Sequence, residues 1–83
     1  MGGRMNRAQL LQETTQVLIK VLKHSNFTLT ERTTAKDVKG WDSLSHMVIM
    51  TAIEKHFGIT FTLIEMVNLT DIGSMFDILQ EKL

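Results

Sequence analysis

Asp42, Ser43 and His46 fall within five consecutive residues of the stretch VKGWDSLSHMVIM (residues 38–50), and together they carry the groups of an acyl-transfer set. In such a set an imidazole takes the hydroxyl proton and a carboxylate orients the imidazole. The surrounding sequence argues against that use. The strained Gly-x-Ser-x-Gly turn that exposes a nucleophilic serine is missing, and no glycine-rich segment offers an oxyanion hole. His46 falls on the core side of its helix, which suits a packed histidine better than a general base. Two other uses of Ser43 stay open. Serine at a helix start is a common N-cap. A hydroxyl there can also be a substrate, because free backbone N–H groups and the positive end of the helix dipole favour an attached anion such as a phosphodiester. Asp42 would then cap the helix or serve a modifying enzyme.

The elements that must hold these residues follow from hydrophobic period and punctuation. Residues 6–24 repeat Leu10, Leu11, Val17, Leu18, Val21 and Leu22 at helical spacing, with Asn6 as N-cap. Residues 25–42 lack a sustained period and form a long connection anchored by Phe27, Leu29 and Val38. Asp42 or Ser43 caps a second helix that runs to about Phe57 and stops at Gly58. In ITFTLIEMVNL, Ile59, Phe61 and Leu63 alternate like a strand, but a lone strand is not stable. A short helix over Leu63–Val67 is expected instead. The last helix spans about Asp71–Lys82, capped by Thr70 or Asp71, with Ile72, Met75, Phe76, Leu79 and Leu83 as its stripe. The fold class is therefore all-α: a small four-helix bundle of three longer helices and one short one, with a long first loop.

Composition narrows the function. Eighty-three residues make one small domain. With no cysteine, neither disulfides nor thiolate metal sites can staple it. The formal charge is zero, which argues against a nucleic-acid binder that must neutralise phosphates. No apolar run is long enough to span a membrane and no secretory signal is read, so a cytoplasmic protein without stable membrane association is expected. Met-Gly-Gly resembles a myristoylation start, but Asn6 stands where Ser or Thr is required. Charge is uneven along the chain. Arg4, Arg7, Lys20 and Lys23 face only Glu13 in the first 24 residues, while the second half is mildly acidic. The two halves could attract one another.

The second helix is apolar on two sides. At about 100° per residue, Ile49, Met50, Ile53 and Phe57 share the core face, while Leu44, Met47, Val48, Thr51 and Lys55 share the opposite one. Either the long loop covers that outer stripe or it docks partner proteins. Methionine suits a surface that must fit several partners.

At these residues the sequence resembles the acyl carrier protein family, whose hallmark Asp-Ser-Leu stands here as Asp42-Ser43-Leu44. GWDSL closes the first loop, AIEKHFGITF ends the second helix, and LTDIGSMFDIL is similar to the family's last helix. The likeness spans residues 6–83 as a carrier domain, preceded by a flexible N terminus over 1–5. The resemblance implies a carrier, not an enzyme, with no resident metal. Ser43 would bear a 4′-phosphopantetheine arm installed from coenzyme A by a phosphopantetheinyl transferase, with Asp42 as the flanking motif residue. The arm's thiol would hold an acyl group as a thioester and shuttle it between the enzymes of a fatty-acid, polyketide or specialised lipid or glycan pathway. Leu44, Met47, Val48, Thr51 and Glu54 match partner-docking positions for acyl-loading and acyl-transferring enzymes. A monomer is expected. Relatives of this family are typically acidic along the second helix; this chain has Glu54, Lys55 and His56 there. Peptidyl or aminoacyl carriers are close relatives, though they more often show a Gly-Gly pair near the serine. The reading from another class is a small helical interaction module with Ser43 as a simple cap.

Overall fold

The computed structural model describes residues 5–83, so residues 1–4, with the Met-Gly-Gly start and most of the segment expected to be flexible, lie outside the described residues. Met5 packs against the core, and its carbonyl accepts a hydrogen bond from Gln80 Nε2 at 3.2 Å.

Among the described residues four α-helices form, and each begins at a side-chain cap. Helix α1 (Arg7–Leu22) starts at Asn6, whose side chain accepts from the Gln9 amide while Gln9 Oε1 accepts from the Asn6 amide. It ends at Lys23 in the left-handed region, a little before the boundary expected at residue 24. Helix α2 (Ser43–Phe57) is capped by Asp42 and closed by Gly58, whose φ of 69° is reached without steric cost only by glycine. Helix α3 (Leu63–Val67) starts at Thr62, and α4 (Ile72–Lys82) starts at Asp71. The long connection holds one 3-10 turn, Ala35–Asp37, too short for hydrophobic period to reveal. Among the described residues there is no strand.

The buried side chains of α1 (Leu10, Leu18), α2 (Ile49, Met50, Ile53) and α4 (Ile72, Met75, Phe76, Leu79) make one core. Leu29, Val38 and Phe61 close it from the connections, while Phe27 is half-buried. Leu11, Val21 and Leu22, expected in the α1 stripe, are only half-buried, and Leu83, expected in the α4 stripe, is exposed beyond the helix end. Thr14 is buried in their midst, and its hydroxyl has no partner among the described residues. α1 and α2 run antiparallel: Glu13 pairs with His56 near one end, and Leu22 lies against Gly40, before α2, at the other.

The uneven charge is partly resolved inside the fold. The Arg7 guanidinium donates to Glu31, Asp77, Gln80 and the Gly73 carbonyl, tying α1 to the loop and to α4. Hydrogen bonding to Glu31, then Asp77, raises the Arg7 pKa, and the same contact lowers that of Glu31. The loop answers from its backbone. Ile72 N–H donates to Thr33 O at 2.9 Å and Gly73 N–H to Glu31 O at 2.8 Å, so residues 31–33 sit against the start of α4. The first loop is thus pinned at one side of the bundle and delivers the chain to α2.

Candidate functional site

The approach to α2 is a tight turn. Trp41 N–H donates to Val38 O at 3.1 Å, and Gly40 holds φ at 90°, as a turn needing a positive φ at its third residue requires. The next four residues form a reciprocal cap. Asp42 Oδ1 accepts from the amides of Leu44 (3.0 Å) and Ser45 (2.9 Å), while Ser45 Oγ accepts from the Asp42 amide at 2.8 Å and donates to Gly40 O at 2.6 Å. The Ser45 N–H, chiefly, holds the Asp42 carboxyl below the usual carboxylate range, so it stays ionised at neutral pH.

That arrangement settles which residue caps α2. Asp42 does, with Ser45 as its reciprocal partner, and Ser43 does not. The interaction-module reading with Ser43 as a simple cap therefore loses its physical basis. Ser43 is the first residue of the helix, exposed, and its hydroxyl makes no hydrogen bond among the described residues.

His46 lies one turn on and is half-buried. Its Nδ1 accepts from Trp41 Nε1 at 3.0 Å, the two rings stack, and its Nε2 lies 3.2 Å from Met66 O. Indole nitrogen only donates, so Nδ1 carries no proton and Nε2–H donates to the carbonyl. Both nitrogens are engaged, and the Nε2 contact ties α3 to α2. Asp42, bound to amides, does not orient this ring, so the three residues do not form an acyl-transfer set.

The outer stripe of α2 is open. Leu44 is 84% exposed, and Met47, Val48 and Thr51 are exposed with it, so the long loop does not cover them. Glu54 parts from this group. Its side chain is half-buried, and Oε2 accepts from Phe61 N–H at 2.8 Å, standing in for the strand partner that the extended residues 59–61 lack. Sequence reasoning missed the other half of the apolar surface. Leu63, Ile64 and Val67 of α3 are exposed, Leu63 at 70%. The signal was present: LIEMV has apolar residues on every side of a single turn, and only one side can face the core. With Phe61 tied to Glu54 and Met66 tied to His46, α3 runs back alongside α2 towards the Ser43 end.

The geometry fits a phosphate ester at Ser43: a free exposed hydroxyl, a helix N-terminus behind it, and a neighbouring carboxylate turned onto amides. Residues 9–79 match the family described as the phosphopantetheine attachment site. No curated protein matches this chain. A solution structure of the holo acyl carrier protein from Geobacter metallireducens is similar to this chain with a TM-score of 0.80 and 34% sequence identity, over 88% of this chain and 84% of that one. The chain belongs to the phosphopantetheine attachment site family, and it is a carrier protein with a covalently attached 4′-phosphopantetheine rather than an enzyme.

Proposed function

We propose that Ser43 is the attachment residue and that the protein is an acyl carrier of a biosynthetic pathway. The observation that supports this most directly is the free Ser43 hydroxyl at the first position of α2, beside a cap that does not need it. When bound, the arm supplies a terminal thiol that holds an acyl group as a thioester. The protein's own part is to present and to dock. Asp42 and Ser45 fix the helix start and keep Ser43 in solvent, where a phosphopantetheinyl transferase can reach its Oγ. The Ser43 amide and the dipole of α2 lie behind the ester phosphate and offset its charge. Leu44, Met47, Val48 and Thr51, extended by Leu63, Ile64 and Val67, give acyl-loading and acyl-transferring enzymes an apolar surface next to the arm. Glu54 contributes through the position of α3 more than by direct contact.

Acyl rather than peptidyl or aminoacyl cargo is favoured by Trp41-Asp42 before the serine and by the likeness to a holo acyl carrier protein. The scarcity of carboxylates on α2 favours a dedicated partner set, as in a specialised lipid, polyketide or glycan pathway. Among the described residues no helix is long and apolar enough to cross a membrane. The carrier reading is of a monomeric cytoplasmic protein with its domain over residues 6–83. Intact-mass measurement after incubation with coenzyme A and a promiscuous transferase tests the assignment. One phosphopantetheinyl group should be added, and Ser43→Ala should abolish it. Addition at Ser25, Ser45 or Ser74 would refute it. Loading by an amino-acid-activating enzyme, with none by acyl-transferring enzymes, would move the cargo to the aminoacyl class.

A further inference from the structure

A groove of about 300 Å³ runs between α1 and α2, with Val17, Val21 and Ala52 as its floor and Lys20, Lys55 and His56 on its rim. Ala52 and Lys55 also line a shallow depression of about 400 Å³ on the outer side of α2, together with Met47, Val48 and Thr51. The apolar surface beside Ser43 therefore continues over Ala52 into the α1–α2 groove. Neither concavity is lined by a carboxylate. The nearby acids are already engaged, Glu13 with His56 at the groove's rim and Glu54 with the Phe61 amide. Among the described residues Lys20 and Lys55 have no ion-pair partner. The antiparallel course of the helices sets Lys20 towards the Ser43 end of the groove and Lys55 towards the far end.

We propose that this groove receives an acidic amphipathic helix of a partner enzyme, with apolar side chains on the Val17–Val21–Ala52 floor and carboxylates against Lys20 and Lys55. The proposal rests on the carrier reading only in that docking here brings the enzyme beside Ser43. Charge complementarity selects the occupant. Two unpaired ammonium groups flanking an apolar trough repel a basic surface and attract an acidic one, and like charges opposed at an interface lose affinity. Shape agrees. From Met47 in the outer depression to His56 on the groove rim, α2 offers about 14 Å of continuous surface at 1.5 Å per residue, which matches two to three turns of a docked helix. Carboxylates two turns apart on that helix reach both lysines.

The test uses the full chain, isotope-labelled, and two synthetic helical peptides with the same leucine stripe. One carries glutamates two turns apart beside the leucines, the other lysines at the same positions. Binding is followed by NMR at low salt. The acidic peptide should bind about tenfold or more tightly than its basic counterpart, shifting the methyls of Val17, Val21, Ala52 and Met47. The double variant Lys20→Glu, Lys55→Glu should invert the preference; both side chains are exposed, and unchanged helical circular dichroism verifies its fold. Equal binding of the two peptides, binding of neither, or shifts centred on Leu63, Ile64 and Val67 would overturn the proposal. Binding to phosphatidylglycerol vesicles through the two lysines, with both peptides ignored, would assign these cations to a membrane surface and overturn it as well. Peptide binding does not require Ser43 to be modified, so it fails or succeeds separately from the carrier reading.

Discussion

Helices α2 and α4 begin with the same device and put it to opposite ends. Asp42 and Ser45 exchange hydrogen bonds at the start of α2, and Asp71 and Ser74 do the same at the start of α4, with Ser74 N–H donating to Asp71 Oδ1 at 2.8 Å. The difference lies in the two residues between. In α4 these are Ile72 and Gly73, both buried, with their amides given to Thr33 O and Glu31 O. A methyl on Gly73 would come within 3.0 Å of Glu31 O. In α2 they are Ser43 and Leu44, both in solvent. A reciprocal cap thus decides where a helix starts, and the tertiary structure decides what the start is for. The loop fills one helix start and leaves the other vacant.

The largest contrast should appear when the first residue of each helix is changed. Ser43→Ala should abolish phosphopantetheinylation by intact mass and leave stability within about 0.5 kcal/mol, as for exposed positions away from structural features. Ile72→Ala should cost about 2–5 kcal/mol in urea unfolding. Comparable losses at both positions would mean that Ser43 is structural after all. At the second residue, Gly73→Val should cost about 1–3 kcal/mol by overpacking against the loop carbonyl, whereas Leu44→Val should be near neutral for stability. A harmless Gly73→Val would show that the loop yields at this point.

Smaller effects separate docking from packing within α2. Met47→Glu or Val48→Glu should slow transfer to or from partner enzymes with little change in unfolding midpoint, because both side chains are exposed. Equal loss of stability and transfer would place them under cover.

The smallest effect is electrostatic. The carboxyls of Asp42, Glu31 and Glu65 are held below their ordinary range, chiefly by the Ser45 N–H, by Arg7 and by the Thr62 N–H respectively. A carboxyl lowered in the folded state stabilises fully above its unfolded pKa, and that contribution fades as pH falls through the folded value. These groups should therefore leave the urea midpoint flat from pH 5 to 8, in line with an ordinary carboxylate value of about 4, and depress it at lower pH. Asp42→Asn should flatten part of the acid limb. A decline already present at neutral pH would point to a different group.

Much of this architecture is legible in the chain because caps and stops are local chemistry. Asn6, Gly58 and the five-residue helix after Thr62 could be placed from residue types alone. At Asp42-Ser43 two residues of equal capping talent stand side by side, and only the reciprocal bond to Ser45 separates them. Of the alternating Ile59, Phe61 and Leu63, Phe61 is buried, Ile59 half-buried and Leu63 exposed, and the buried end needs no strand, since a side chain from α2 supplies the missing acceptor. Such long-range substitutions leave no periodic trace. The same holds for Arg7, whose partners at positions 31, 73, 77 and 80 come together only in the folded state.

The indole of Trp41 has a use that follows from its bonds. Its N–H rests on His46, and the far nitrogen of that ring holds the Met66 carbonyl at the end of α3. The chain has one tryptophan and no tyrosine, so its near-ultraviolet emission comes from this single ring, two positions before Ser43. Any step that parts α3 from α2 breaks the relay and changes the solvent and the stacking partner that the indole meets. Intrinsic fluorescence therefore becomes a label-free report of any parting of α3 from α2, readable in stopped flow while an enzyme acts on the carrier.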